Sequence, residues 1–263
     1  MISVVMPAYN ESRHIVSNLM ETVETLANFG YRYEVILVDD GSPDQTYLEA
    51  AKALVSHPEH VRVVHYDVNR GKGNALMCGS WYARGELVVF LDADMDLHPA
   101  QLPGLFKIME EREADVVIGS KRHPQSNVNY PFVRRVYSTV YYSITWLLFG
   151  LPVKDTQTGL KIFRRQVLQR VLPRVLAKRF AFDIELLANA HRLGFRIVDA
   201  PITLKFKRPM GSRIGIADIR NIFIDTLAIF YRMRVVKYYD KFDESILLSD
   251  MPVNEDAREY LTS

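Results

Sequence analysis

The chain has 263 residues, 48% of them apolar and 24% charged, enough for one large core or two modest ones. Cys78 is the only cysteine, which excludes a disulfide-stapled module and leaves packing to hold the fold. The formal charge is only +2, but residues 240–263 carry seven acids against two bases, so residues 1–239 hold an excess of seven positive charges. That excess suits an anionic ligand or a membrane surface, and equally an ordinary solvated surface.

Ile2–Met6 is too short for the apolar core of a secretory signal and is followed by Asn10, Glu11, Ser12 and Arg13, so a cytoplasmic start is expected. Apolar runs of strand length then alternate with helical stretches. The predicted order is strand Ile2–Met6, helix Ser12–Phe29, strand Tyr33–Val38, helix Thr46–Ser56, strand Val61–Tyr66, helix Lys72–Ala83, strand Leu87–Leu91, helix Pro99–Glu111 and strand Val116–Gly119. Such alternation implies an α/β fold, a mainly parallel sheet with helices on both faces. Ligands of such sheets gather at the carboxyl ends of the strands, and there lie Pro7 to Glu11, Asp39-Asp40, Asp92 to Asp96 and Ser120 to Arg122.

The second half reads as an aromatic helix at Val133–Phe149, helices near Arg164–Val175 and Phe182–Leu193, and a strand at Arg196–Phe206. Val136 to Val153 lacks a formal charge, but Ser138, Thr139, Ser143 and Thr145 dilute it and Gly150 and Pro152 end it. An interfacial or a core helix suits it better than a span. Residues Ile214–Tyr239 place Ile219, Ile222, Phe223, Thr226, Phe230 and Met233 at helical spacing beside Arg220, Arg232, Arg234 and Lys237. Two readings stand, a basic amphipathic helix on anionic lipid and a helix packed on the domain. The expected division is therefore 1–213 as catalytic domain, with 133–149 as an acceptor or membrane-interface helix, 214–239 as a membrane-associating helix and 240–263 as an acidic flexible tail.

Asp92 and Asp94, two apart on an extended segment, point to one side and offer hard carboxylate oxygens together, with Asp96 just beyond; Mg2+ or Mn2+ would suit them. Taken alone, they could equally cap the following helix. Asn69-Arg70-Gly71-Lys72-Gly73-Asn74 is a glycine-rich start to a helix where Lys72 and backbone N–H groups can face phosphate, though a simple turn reads as well and Gly-x-x-x-x-Gly-Lys-Ser/Thr is absent. His65, His98, His123 and His191 have no ligand spacing and read as structural, and the aromatic residues of 130–149 form no nucleic-acid module.

The set Pro7-Ala8-Tyr9-Asn10-Glu11, Asp39-Asp40-Gly41-Ser42, Arg70-Gly71-Lys72-Gly73 and Asp92-Ala93-Asp94 resembles family 2 glycosyltransferases of the GT-A fold. Gly119-Ser120-Lys121-Arg122, Tyr130 to Arg135, Ser138 and Asp155 to Lys161 resemble the polyprenyl-phosphate branch. Asp155-Thr156-Gln157-Thr158-Gly159 with Arg179 to Leu187 looks nearest dolichyl-phosphate β-glucosyltransferase, and the chain is also similar to dolichyl-phosphate mannose synthase. Asp94-Met95-Asp96-Leu97-His98-Pro99 departs from that synthase's pattern by an extra residue and an acid in place of Gln. Arg208-Pro209-Met210-Gly211-Ser212-Arg213 is one residue shorter than the usual flexible loop.

The resemblance implies a GT-A, Rossmann-like sheet with C-terminal amphipathic helices and inverting transfer of a hexose from a nucleotide sugar to a polyprenyl or dolichyl phosphate at the cytoplasmic membrane face. UDP-glucose comes before GDP-mannose as donor. It implies Pro7, Tyr9, Glu11, Asp39 or Asp40, Lys72 and Asp92 around the nucleotide and Asp92, Asp94 and Asp96 toward Mg2+ or Mn2+. Arg122, Arg134 and Ser138 would hold the acceptor phosphate, and Arg208 the departing diphosphate, with Asp94, Arg134, Ser138 and Arg208 as the catalytic set. A lipid phosphate is already largely dianionic near neutral pH, so it needs aiming rather than deprotonation, a task for arginine.

Two alternatives stay open: transfer to a glycan hydroxyl, for which Asp183 or Glu185 is the candidate base, and a nucleotide-sugar binding module without turnover. A signalling receiver would need neither the acids at Asp92-Ala93-Asp94 nor the 120–213 segment. A membrane-anchoring partner and a homo-oligomer are both left open.

Overall fold

The computed structural model describes residues 1–128, 132–179, 181–205 and 216–241, and within these no side chains for 132–137 and 216–220. Nine strands and eight α-helices are described in the order β1 (Ile2–Ala8), α1 (Ile15–Ala27), β2 (Tyr33–Asp39), α2 (Thr46–Ser56), β3 (Val61–His65), α3 (Lys72–Tyr82), β4 (Leu87–Leu91), α4 (Leu102–Glu111), β5 (Val116–Ser120), β6 (Asn127–Val128), α5 (Phe132–Phe149), β7 (Leu160–Arg164), α6 (Arg165–Val171), α7 (Phe182–Arg192), β8 (Ile197–Pro201), β9 (Thr203–Leu204) and α8 (Ile216–Phe230). Seven strands form one sheet in the order β3-β2-β1-β4-β7-β5-β8, and β6 and β9 pair separately. All neighbours in the large sheet are parallel except β7, which runs antiparallel to β4 and β5.

The parallel strands are buried on both faces because helices cover both, which is why β1 and β2 read as near-continuous apolar runs. One core contains Val5, Val38 and Phe90 of the sheet with residues of α3, α6 and α7. The other contains Val4, Leu37 and Val89 with residues of α1 and α4. From β1 the chain moves outward to β2 and β3, then returns to place β4 on the other side of β1. The direction of winding reverses there, and a crevice opens beyond the carboxyl ends of β1 and β4.

The expected α/β architecture is what the chain adopts, with differences in the second half. Leu160–Arg164 is a strand within the large sheet, whereas the periodicity predicts a helix beginning at Arg164; α6 starts only at Arg165 and gives way to a 3-10 turn at Leu172–Arg174. The expected strand at 196–206 divides into β8 and β9, with Ile202 between them; residue 206 lies outside the described residues. Residues 214 and 215 of the expected helix at 214–239 lie outside the described residues; the rest is α8, a π-helical turn at Tyr231–Val235 and a 3-10 turn at Tyr238–Lys241.

On α8 and the turn after it, Thr226, Ile229 and Met233 are buried, while Phe223, Ile224, Leu227, Tyr231 and Val235 remain exposed. Thus one stripe packs on the domain and a second apolar stripe is left over. On α5, Thr145 and Phe149 are buried and Val140, Trp146 and Leu147 are exposed. Phe149 meets Phe230 edge-on, with ring centroids 6.3 Å apart. Among the described residues no helix is long and apolar enough to cross a membrane.

Candidate active site

Three loops meet at the crevice. The backbone N–H of Asn10, which has φ of 58°, donates to Ser42 Oγ at 3.0 Å, and that of Glu11 donates to Thr46 Oγ1 at 2.8 Å. The loop after β1 is therefore laced to the loop after β2. Pro7 is half-buried, Tyr9 exposed and Glu11 buried along this seam.

Asp39 and Asp40 are both buried, and their carboxylates have different partners. Asp39 accepts a short hydrogen bond from Ser42 and lies 2.8 Å from His65 Nδ1, whose ring stacks on Tyr47. Asp40 turns the other way, to Tyr66 Oη at 2.6 Å, the Arg70 N–H at 2.9 Å and the Gly71 N–H at 2.9 Å. Burial nonetheless raises the Asp40 carboxyl, with the Asp39 charge adding to it and those donors opposing it. Asp40 thus shapes the loop that presents Lys72.

Gly71 has φ of 97°, and a Cβ there would stand 2.7 Å from the Lys178 carbonyl oxygen, so the loop needs glycine on both counts. A Cβ on Gly73 would overlap Phe182, which places the start of α3 directly against the start of α7. Lys72, the first residue of α3, reaches Asp92 Oδ1 at 2.5 Å.

Beyond β4, Asp92, Asp94 and Asp96 are half-buried while Ala93, Met95 and Leu97 between them are buried. This alternation turns the three carboxylates away from the core. Met95 takes φ of 59°, and the Asp96 N–H donates to Asp94 Oδ1 at 3.1 Å, closing the turn. Burial opposes ionisation of Asp92, but Lys72, with Lys161 and Lys121 behind it, holds the carboxyl below the usual carboxylate range. Asp94 is pushed up to about 6 by burial and by the charges of Asp92 and Asp96.

Opposite stand α5 and the loop after β5. Arg122 donates from Nη1 to Ser138 Oγ at 3.4 Å and to Thr139 Oγ1 at 3.1 Å, and its guanidinium lies over the Tyr142 ring. The structure brings Arg122 and Ser138 together; Arg134 is on the first turn of α5, but its side chain lies outside the described residues, as do Arg208 and Arg213 entirely. Lys121 is tied to Asp155 by its backbone N–H at 3.1 Å and its ammonium at 3.6 Å.

Two residues of the floor, Gly159 and Lys161, stand in the sequence motif of residues 155–161, which assigns neither of them a role. Gly159 presses on the Asp92 carboxylate, where any Cβ would overlap it. Lys161, 2% exposed in the middle of the sheet, donates to the Thr158 carbonyl at 2.5 Å and to Asp183 Oδ1 at 2.7 Å. The signal for Lys161 is one cation inside the apolar run Leu160-Lys161-Ile162-Phe163, which only a buried acid elsewhere in the chain can balance.

The Glycosyl transferase family 2 model matches residues 3–172, which include the three loops and Gly159 with Lys161. The chain belongs to this family. Glycosyltransferase AglD of Haloferax volcanii is 34% identical over 203 residues, 76% of this chain and 32% of AglD, so the chain spans about a third of that protein. Dolichyl-phosphate beta-glucosyltransferase ALG5C of Trichomonas vaginalis is 30% identical over 256 residues, 92% of this chain and 75% of the relative. Among solved structures, glucosyl-3-phosphoglycerate synthase from Mycobacterium tuberculosis with Mn2+, UDP and phosphoglyceric acid superposes with a TM-score of 0.65 at 23% identity, covering 93% of this chain and 80% of that one. That likeness shows the fold. As a family 2 glycosyltransferase, the chain has its acid row, its lysine-bearing glycine loop and its Arg122–Ser138 pair around one crevice.

Proposed function

We propose that this glycosyltransferase moves glucose from UDP-glucose to a polyprenyl phosphate of the dolichyl type, with inversion, at the cytoplasmic face of a membrane. The observation that carries the reading is the Arg122–Ser138 contact at 3.4 Å, a phosphate-binding pair beside Lys121, whose charge acts on Asp92 of the acid row. The dolichyl-phosphate name of a relative that aligns over most of this chain supports the same acceptor.

The donor's nucleoside lies in the seam of Pro7, Tyr9, Glu11 and Asp39, while Asp40 holds the loop that aims Lys72 at the diphosphate. Asp92, Asp94 and Asp96 suit Mg2+ or Mn2+, being hard oxygen donors close enough that the charges of Asp92 and Asp96 act on Asp94. Among the described residues no three His, Cys, Asp or Glu side chains already form a metal cage. An ion there would be held by these carboxylates together with oxygens of the donor. Such an ion, when bound, neutralises charge on the leaving diphosphate.

The chain's own residues do the positioning. Arg122 and Ser138 hold the acceptor phosphate so that its oxygen faces the anomeric carbon; the motif match assigns Arg134 to the same phosphate and Arg208 to the diphosphate, both roles resting on the sequence alone. Residues 1–213 are the catalytic unit, and the exposed apolar stripes of α5 and the 214–239 segment rest on the lipid that carries the acceptor.

The test incubates the purified protein, Mn2+ or Mg2+ and a short-chain polyprenyl phosphate with UDP-glucose, GDP-mannose, UDP-GlcNAc and UDP-glucuronate in separate reactions. A β-glucosyl lipid phosphate from UDP-glucose is expected, abolished by EDTA or Asp94→Ala and strongly reduced by Arg134→Ala. Product that persists through both substitutions overturns the reading.

A further inference from the structure

A transferase acting on a hydroxyl must remove a proton: the acceptor O–H bond breaks, the proton passes to a base, and the oxygen bonds to the anomeric carbon as the bond to the diphosphate breaks. A phosphate monoester needs no such base. Its anionic oxygen attacks, the electron pair of the breaking bond leaves with the nucleoside diphosphate, and no proton is transferred. The two acceptor classes therefore differ in whether the crevice must offer a carboxylate able to take a proton.

Apart from the acid row and the carboxylates of the nucleotide seam, Glu11, Asp39 and Asp40, three carboxylates border the crevice or the helix beside it. Asp155 accepts from the N–H groups of Lys121 and Gln157, each at 3.1 Å. Glu185, fully buried, accepts from the N–H groups of Leu176 at 2.9 Å and Ala177 at 2.6 Å, from Arg232 at 3.1 Å and from the Tyr239 hydroxyl. Asp183 stands at the start of α7, against the glycine loop, with the charged and titratable groups Lys161 on β7, Lys72 on α3 and Tyr141 on α5 around it. Of the three, Asp183 is the one whose charge acts on Lys72, the partner of Asp92 in the acid row.

Asp183 Oδ1 already holds the Lys161 ammonium at 2.7 Å. A lysine 2% exposed within a central strand is not explained by stability, since a buried ion pair is often no better than an apolar pair of the same shape. We infer that Lys161 sets the acceptor class: paired with Asp183 Oδ1, it withholds that carboxylate from the acceptor as a base, so the nucleophile has to arrive ionised, as a phosphate monoester. This rests on the function proposed above and adds to it the residue that excludes hydroxyl acceptors. Lys161 acts through Asp183 and is a positioning residue.

The test measures kcat and KM against pH for the wild type, Asp183→Asn and Lys161→Met, with a short-chain polyprenyl phosphate and with the corresponding polyprenol. For phosphate transfer, Asp183→Asn is expected to change kcat by less than about tenfold and to keep the shape of the pH profile, where loss of a general base would remove about 10²–10⁴-fold and the acidic limb with it. Lys161→Met uncovers Asp183 and is expected to lower the preference for phosphate over polyprenol at least about tenfold. Should Lys161→Met not fold, Lys161→Met with Asp183→Leu removes both charges, and its expected result is retained discrimination against polyprenol. If the wild type glycosylates the phosphate but Asp183→Asn loses a hundredfold together with the acidic limb, the function stands and the role of Lys161 falls. If the wild type prefers polyprenol, both fall.

Discussion

The Asp92 carboxylate lies against Gly159 with no room for a Cβ between them. The strand that follows, β7, pairs with β4, Leu160 opposite Leu91. Gly159→Ala has to push Asp92 out of the position in which Lys72 holds it. Because a displacement of about 1 Å near reacting groups can cost 10²-fold in rate, kcat for transfer from UDP-glucose is expected to fall by about that factor. The circular dichroism spectrum should keep its α/β form, since the conflict is with one side chain at the mouth of the sheet. Full activity in Gly159→Ala would show that Asp92 need not stay where it is.

A second substitution separates the C-terminal segment from the chemistry. Glu185 on α7 ties together the 176–177 loop, Arg232 of the π-helical turn and Tyr239. Arg192 of the same helix reaches the Tyr239 carbonyl at 2.8 Å and pairs with Asp240. Removing one partner of a buried, hydrogen-bonded charge pair costs about 3–5 kcal/mol. Glu185→Ala is expected to lower the urea-unfolding free energy by an amount in that range, with Arg232→Met losing less because its side chain is part-exposed. Equal, small effects from both would mean that the network does not fasten the segment.

Much of this was legible from residue order. Strand-end clusters such as Asp39-Asp40 and Asp92-Ala93-Asp94 follow apolar runs closely enough for a parallel sheet to bring them together, and the sheet does so. β7 was not legible, because antiparallel insertion between β4 and β5 is a long-range pairing, and Lys161 interrupts the apolar run that would otherwise mark a buried strand. Neither were the separate duties of Asp39 and Asp40: adjacent residues on a strand face opposite ways, but which of them meets Tyr66 and which His65 depends on β3 and the loop after it. Within residues 221–239 the buried stripe of Thr226, Ile229 and Met233 and the exposed stripe of Phe223, Leu227 and Tyr231 share one helix, of which a hydrophobic pattern reports only the sum.

Asp199, on β8 far along the sheet from β1, gives a pH prediction independent of the acid row. Burial, with the Asp155 charge adding to it, pushes its carboxyl up to about 6 from 3.8, against the Lys154 N–H that donates to Oδ2 at 3.0 Å; Oδ1 is buried without a hydrogen-bond partner. A carboxyl whose folded value is raised favours folding while protonated, so this contribution is present below about pH 4 and is lost as pH rises through about 6. Asp199→Asn keeps an acceptor for Lys154 and cannot ionise. The melting temperature of the wild type relative to this variant should therefore decline between about pH 4 and 6 and level off above. A difference independent of pH would show that Asp199 ionises freely in the folded chain.

The apolar surface of α5 yields a prediction about membranes that leaves the crevice untouched. Trp146 is 56% and Leu147 76% exposed, on the helix that carries Ser138 two turns earlier, and Val140 continues the stripe. Arg234 and Lys237 are exposed near the equivalent stripe at the end of α8, which favours an anionic surface. Burying a side chain of this size is worth about 1.5–3 kcal/mol, so Trp146→Asp and Leu147→Asp should each weaken co-sedimentation with phosphatidylserine-containing vesicles by about tenfold or more. Turnover of a water-soluble, short-chain polyprenyl phosphate should be unaffected by either change, while turnover of a long-chain acceptor in vesicles falls with binding. Raising the salt concentration should weaken wild-type binding in part, through Arg234 and Lys237, and leave the apolar contribution of Trp146 and Leu147 in place. Unchanged vesicle binding in both variants would mean that α5 does not face the lipid, and the acceptor would then have to reach Arg122 and Ser138 by another path.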